Sequence, residues 1–342
     1  MPAVAIRLGF LGTGWIARFH AGLLASSGED FERGTVYDPD LDRAASFAAD
    51  FGYTAVGSEE AVLDGVDAVY VTTWTAEHLR LVTAASERGV HVFCEKPVAL
   101  DAAGARAIAE VVERAGVVAQ VGLILRRSPA FGLLRGLLSQ QAAGRPMAVV
   151  FRDDQFIPIR GHYGSTWRAE VAKAGAGTLI EHSIHDLDLL DWLLGPVATV
   201  TCHTAGFHAL EGIEDVAAVT LAFASGATAS LVSVWHDVDE RPSLRNVEVF
   251  CERAYVQVEG DWIGPVRYRF AGDPEETVVA GEAVPAEARR LGARLGNPDG
   301  SFLRAIRDGR PGWPAPRDAV RAHELVDACY ASAAAGGAPI GV

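Results

Sequence analysis

The sequence predicts a chain of two parts: a doubly wound α/β domain over residues 1–121, and an α+β domain with a mainly antiparallel sheet over 122–342. Three observations carry this. At 342 residues the chain exceeds one typical domain and suits two, each able to bury a core. In the first third, short apolar runs alternate with helical periodicity, the signature of a parallel sheet with crossover helices. Beyond residue 197 the chain becomes a series of β-rich runs joined by short turns such as "ASGA".

The first element is "AIRLGFLGTGWIARFHAGLL", a β-rich run, a glycine turn and a helical pattern. Gly12, Gly14 and Ala17 form G-x-G-x-x-A. Gly12 permits the tight turn, Gly14 allows a pyrophosphate close to the backbone, and Ala17 lets helix and strand pack. Free N–H groups at the helix start, around Trp15 and Ile16, suit phosphate oxygens. The second strand, "GTVYD", ends in Asp38, placed to accept hydrogen bonds from adenosine ribose hydroxyls and to repel a 2′-phosphate. The expected cofactor is therefore NAD, in a Rossmann domain. Arg43 keeps NADP within reach, and Asp38 also fits a plain turn residue of "DPD". "DAVYVTTW", "GVHVFCEKP" and "GVVAQVG" supply further buried strands, with helices from "AEHLRLVTAASERG" and "AAGARAIAEVVERAG" between them.

"CEKP" places Lys96 at the carboxyl end of the fifth strand-like run, where this architecture keeps its ligands. An ammonium there could hold a substrate hydroxyl, although a lone lysine in such a turn is more commonly a surface residue. In "EHSIHDLDLLDWLLG", Glu181, His185 and Asp188 stand at i, i+4 and i+7 of a helical pattern, opposite Ile184, Leu187, Leu190 and Leu194. The stripe reads equally as the wall of a cavity or as a solvated helix face. His182 and Asp186 fall in another sector. Histidines three apart could share a metal, but no further ligands follow at recognisable spacing, so no metal is expected.

In the second part, "PAFGLLRGLLSQQAAG" is helical and "PMAVVFRDDQF" is a strand. "VATVTCHTAG", "EDVAAVTLAFASGATASLVSVW", "LRNVEVFCERAYVQVEG" and "VRYRF" continue the sheet, and a final helix is expected over about 317–335 after "PGWPAP". A formal charge of −14 without a basic cluster argues against nucleic-acid or anionic-membrane partners. No apolar run reaches membrane-spanning length, and no signal-peptide pattern opens the chain, so a cytoplasmic protein is expected. Cys94, Cys202, Cys251 and Cys329 are scattered, as reduced core residues would be.

Taken together, "GFLGTGWIARFH", "DAVYVTT" followed by His78, "GVHVFCEKPVAL", "STWR", "GAGTLIEHSIHDLDLLDWLLG" and "DAVRAHELVDACYAS" resemble the glucose-fructose oxidoreductase, inositol dehydrogenase and rhizopine-catabolism group of NAD(P)-dependent sugar oxidoreductases. The motifs span both parts of the chain in the family's order. The resemblance implies that Lys96 is the catalytic lysine, with Glu95 near the nicotinamide ribose. It implies that His185 is the catalytic histidine and that Glu181 replaces the usual aspartate. Trp74 stands where the family has proline. Thr73, Trp74, His78, Glu95 and Lys96 join Gly12, Gly14, Trp15, Ile16, Asp38 and Arg43 as cofactor candidates; Lys96, Trp167, Arg168, Glu181 and His185 are the substrate candidates. The resemblance also implies subunit pairing through the open sheet face, as a homodimer or homotetramer.

The expected activity is hydride transfer between NAD(P) and a hydroxyl carbon of a sugar, sugar derivative or cyclitol. His185 would take the hydroxyl proton, an imidazole's ordinary pKa of about 6.5 suiting both directions. Trp167 would wall a sugar face, and Arg168 or Asp188 would grip hydroxyls with Glu181. Two alternatives share these residues: glycoside cleavage through transient oxidation, and a non-catalytic dinucleotide sensor.

Overall fold

The computed structural model describes residues 5–161, 163–238 and 240–342. It forms two compact units, Met1–Leu123 with Gly296–Arg321, and Ile124–Leu295 with Ala322–Val342.

Unit 1 is built on six parallel strands, β1 (Ile6–Leu11), β2 (Phe31–Tyr37), β3 (Thr54–Ala55), β4 (Ala68–Val71), β5 (His91–Cys94) and β6 (Ala119–Val121), in the order β3-β2-β1-β4-β5-β6. The order reverses between β1 and β4, and ligands of such sheets bind beyond the carboxyl ends at that switch point. β4 reads "AVYV" and is buried throughout, as a strand covered on both faces must be. Helices α1 (Trp15–Ala25) and α2 (Leu41–Phe51) cover one face; α3 (Glu59–Leu63), α4 (His78–Glu87) and α5 (Ala102–Ala115) cover the other.

The sequence reading assigns everything beyond residue 121 to the second domain, yet Gly296–Arg321 belongs to unit 1. Helix α11 (Pro298–Arg307) places Phe302 and Leu303 in the aromatic core of Phe10, Phe47, Tyr70 and Phe93. Its start is tied down by Asn297 donating to the Leu23 carbonyl at 2.7 Å and Gln120 donating to that of Pro298 at 2.9 Å. An apolar helix face finds its partner by surface, not by sequence proximity.

Unit 2 carries nine strands: β7 (Pro146–Phe156), β8 (Val197–Ala205), β9 (Val216–Phe223), β10 (Thr228–His236), β11 (Leu244–Cys251), β12 (Ala254–Glu259), β13 (Val266–Phe270), β14 (Thr277–Val279) and β15 (Ile340–Gly341). Their order is β14-β13-β12-β11-β7-β10-β9-β8-β15; every pairing is antiparallel except β7 with β10. Alternation along β9 and β10 buries one side chain in two, which gives the sheet a covered and an open face. The covered face packs on α6 (Pro129–Leu138), α8 (Thr178–Glu181), α9 (Ile184–Leu194) and the unit 2 part of α12 (Pro316–Ala334). The short helices α7 (Val171–Ala174) and α10 (Ala283–Arg290) complete the unit. Register sets Asp153 of β7 opposite Arg245 of β11 on one side and Ser233 of β10 on the other, a polar row on the buried face. All four cysteines are buried and free, and no helix among the described residues is long and apolar enough to cross a membrane.

Candidate active site

In unit 1 the glycine turn sits at the switch point. Gly12 has φ +86°, and a Cβ there would lie 2.7 Å from the Thr72 carbonyl oxygen at the end of β4, so only glycine fits. A Cβ at Gly14 would meet no described atom within 4 Å, and Gly14 caps α1 without a side-chain hydrogen bond. The first N–H groups of an eleven-residue helix thus open onto unfilled space beside the turn, which suits a pyrophosphate. Ile16 is half-buried and Trp15 exposed there.

Asp38 is buried just past β2. Its Oδ2 accepts from the Thr13 N–H at 2.9 Å and the Thr13 hydroxyl at 3.2 Å, and Oδ1 accepts from the Asp40 N–H at 2.9 Å. Arg43 lies 3.5 Å from Asp38 and 2.9 Å from Asp40, which its charge and N–H hold below the usual carboxylate range. Asp38 therefore ties the glycine turn to the end of β2.

The Lys96 turn is braced from two sides. His78, buried at the head of α4, sets Nδ1 2.9 Å from the Pro97 carbonyl and Nε2 3.2 Å from that of Thr73. It joins the Thr73–Trp74 loop to the Lys96 turn. Glu95 is also buried; one oxygen accepts from the Lys96 N–H at 3.1 Å and the other meets His20 Nε2 at 3.0 Å. Lys96 itself is half-buried.

In unit 2, Glu181 and His185 do not share the single helix that their spacing predicts. α8 ends at Glu181, the chain breaks at His182–Ser183, and α9 begins at Ile184. The break has a cause in the polar row. Ser183 Oγ lies 3.2 Å from Asp153 and 2.6 Å from the Ser233 hydroxyl, while His182 Nε2 lies 3.1 Å from Asp153. These bonds reach β7 and β10, and they hold His182 and Ser183 out of the helical line. α8 is held from outside by Glu214, whose carboxylate accepts from the Gly177 and Leu179 N–H groups at 2.8 and 2.9 Å. A Cβ at Gly177 would overlap the Glu214 carbonyl at 1.8 Å, so this approach requires glycine. Burial still pushes the Glu214 carboxyl up despite those donors.

The stripe of Glu181, His185 and Asp188 is no solvated face, because all three are less than a tenth exposed. Glu181 accepts from Arg168 Nε at 2.8 Å, and that guanidinium stacks 4.4 Å over the Trp167 ring. Asp188 takes a two-pronged grip from Arg126 at 2.7 and 2.9 Å. Each buried carboxylate flanking His185 thus has its own arginine.

Set aside by the helical-sector argument, His182 and Asp186 are deeply engaged. Arg245, buried, contacts Asp186 at 2.6 Å, Asp261 at 2.8 Å, His182 at 3.1 Å and Asp153 at 3.2 Å. Burial drives the Asp186 carboxyl up to about 7, against the pull of Arg245 and with the push of Asp153. The sequence did hold a signal for Asp153 and Arg245: both stand at inward positions of alternating strands otherwise filled by Val247, Val249 and Phe151.

Comparison with known proteins follows the same division. Residues 6–123 match the model described as "Oxidoreductase family, NAD-binding Rossmann fold", and residues 131–257 match the "GFO/IDH/MocA C-terminal domain". A 1,5-anhydro-D-fructose reductase of Ensifer adhaerens is 32% identical over 240 residues, 68% of either chain. A scyllo-inositol 2-dehydrogenase (NAD(+)) of Bacillus subtilis is 31% identical over 231 residues, 65% of either chain. A levoglucosan dehydrogenase in complex with NADH and levoglucosan shares the fold at 19% identity, with a TM-score of 0.86 over 99% of this chain and 100% of that one.

Proposed function

The chain belongs to the GFO/IDH/MocA oxidoreductase family, and from that premise we propose that it transfers a hydride between NAD and a hydroxyl-bearing carbon of a sugar, sugar derivative or cyclitol. The observation that carries the cofactor half is the Gly12–Gly14 turn, opening α1 at the β1/β4 switch point. Gly14, the first N–H groups of α1 and Asp38 would hold the dinucleotide, with Thr73, Trp74 and Glu95 towards its nicotinamide end; Arg43 keeps NADP accessible. When bound, NAD accepts or returns the hydride.

The protein's own work is to bind and orient the hydroxyl and move its proton. Lys96 donates a hydrogen bond to the reacting oxygen and stabilises the charge that develops on it. His185 takes the proton from that hydroxyl onto an imidazole nitrogen. Glu181 is buried against Arg168, which also stacks on the Trp167 ring; in this reading the Glu181–Arg168 pair orients the site, and Arg168 with Trp167 would meet the substrate. Exposed Val150, Val232 and Phe250 share the open face of the unit 2 sheet and support pairing of identical subunits there.

The test is a screen of sugars and cyclitols for NADH formation, followed by His185→Asn on the best substrate. The variant should bind NAD as the parent does and turn over roughly 10²- to 10⁴-fold more slowly. Parental turnover by His185→Asn would remove the base from the scheme, and glycoside cleavage without net NADH would replace the dehydrogenase reading by the eliminating one.

A further inference from the structure

His20 lies on α1, six residues beyond Gly14, and is almost wholly buried. Its Nδ1 is 2.7 Å from Oδ1 of Asp299 on α11, and its Nε2 is 3.0 Å from Oε1 of Glu95 at the end of β5. Phe93 meets the ring edge-on at 4.8 Å and Tyr70 lies at 5.5 Å. An imidazole that donates to two carboxylates carries a proton on both nitrogens, so His20 is a cation. Burial opposes that charge, but Asp299 and Glu95 overcome it and hold the pKa up to about 10. Burial likewise raises Glu95, yet His20 and Lys96 bring it below the ordinary carboxylate range. The Glu95 carboxylate fits only because residue 122 is glycine: a Cβ there would lie 2.1 Å from Oε1. Its second oxygen holds the Lys96 N–H.

We propose that His20 and Asp299 are positioning residues for the reaction: the chain Asp299–imidazolium–Glu95 clamps the turn that presents Lys96. The proposal rests on the reading of Lys96 as the residue that holds the substrate hydroxyl. It gives the Gly296–Arg321 segment a task beyond packing, since Asp299 supplies the outer charge of the clamp. The charges that face His20 are Glu95 from β5 and Asp299 from α11, with the Tyr70 phenol from β4 beside them; Lys96 acts through Glu95.

The experiment uses His20→Gln, Asp299→Asn and the double variant, measuring kcat, KM and NAD affinity by fluorescence titration, and the melting temperature of cofactor-free protein between pH 6 and 10. His20→Gln removes the imidazolium that the two carboxylates share and leaves Glu95 only the pull of Lys96. It should lower kcat by roughly ten- to a hundredfold, as a misplaced catalytic turn does, with the loss deepening as pH rises and NAD affinity near parental. In the double variant a glutamine can donate to Glu95 and accept from asparagine, leaving one hydrogen-bonded anion, so kcat should recover most of the loss. A double variant as poor as the product of the two single effects, with a parental pH profile, would overturn the clamp. Should His20→Gln not fold, Asp299→Asn decides alone. It leaves His20 with one anion, so the imidazolium loses its proton at lower pH and kcat should fall there on an ionisation the parent lacks; a parental profile overturns the proposal.

The cofactor-free arm separates this from the reading of function. A group raised from 6.5 to about 10 confers stability that is whole below pH 6.5 and is lost as pH climbs to about 10. The melting-temperature advantage of the parent over Asp299→Asn should therefore narrow towards pH 10, even if no sugar is ever oxidised. A constant gap would contradict the clamp without touching the dehydrogenase assignment.

Discussion

His20, a buried cation of unit 1, faces two carboxylates, Arg245, a buried cation of unit 2, faces three, and the extra negative charge changes where each network keeps its proton. In unit 1 the cation is itself the acid: His20 keeps its second proton up to about 10, and Glu95 stays ionised. In unit 2 the cation is Arg245, which does not give up a proton, so the surplus falls on a carboxylate, and Asp186 holds a proton up to about 7. Asp261 is one-third exposed and shares its charge with solvent; Asp153 and Asp186 are not and cannot. In these two networks the charge that the cation cannot balance is removed by protonation of a buried group.

The harshest way to break the comparison is Arg245→Met. It strips the only cation that contacts both Asp153 and Asp186 among the described hydrogen bonds, and should cost about 3–5 kcal/mol, read as a large fall in the denaturation midpoint of unit 2. A loss under about 1 kcal/mol would show that Asp153 and Asp186 are neutral without it.

Arg168→Met asks the same of a pair whose cation is one-fifth exposed while Glu181 is wholly buried. Solvent reaches the guanidinium, so a smaller cost of about 1–3 kcal/mol is expected, together with a weakened substrate KM. Glu181→Gln in the same chain should recover part of the stability, because the stranded charge is gone. Failure of that rescue in a double-mutant cycle would mean that the two residues are not coupled.

Asp186→Asn is the mildest test. A carboxyl raised from 3.8 to about 7 contributes stability that is complete below pH 3.8 and lost as pH rises to about 7. The variant should gain on the parent in melting temperature from pH 4 to pH 7 and hold a steady difference above. The His20 window opens at pH 6.5 and runs to about 10, almost wholly above this one, so the two networks can be told apart by pH. A difference that does not change between pH 4 and 7 would place the proton elsewhere.

Much of unit 1 was legible because its signals are local. Gly12, Gly14 and Ala17 lie within six residues and each answers a backbone demand, while Lys96 sits just past β5, whose apolar composition marks it as a buried strand. His185 could be located because the residues around it form a compact motif. The break at His182–Ser183 could not be foreseen from the same letters, since helical spacing favours one helix over 181–194 and only the hydrogen bonds of Asp153 and Ser233 override it.

The sequence by itself determined what short-range sterics and periodicity can encode: the glycine turn, the order of strands and helices, the Glu95–Lys96–Pro97 turn and the covered face of the second sheet. The tertiary structure alone decided the charge partners. Asp299 meets His20 across 279 positions, Arg245 meets Asp153 across 92 and Asp186 across 59, and Arg126 meets Asp188 across 62. Coulombic pairing depends on distance in space and on the removal of water, and neither exists for these residues until strand register and the return of α11 bring them together.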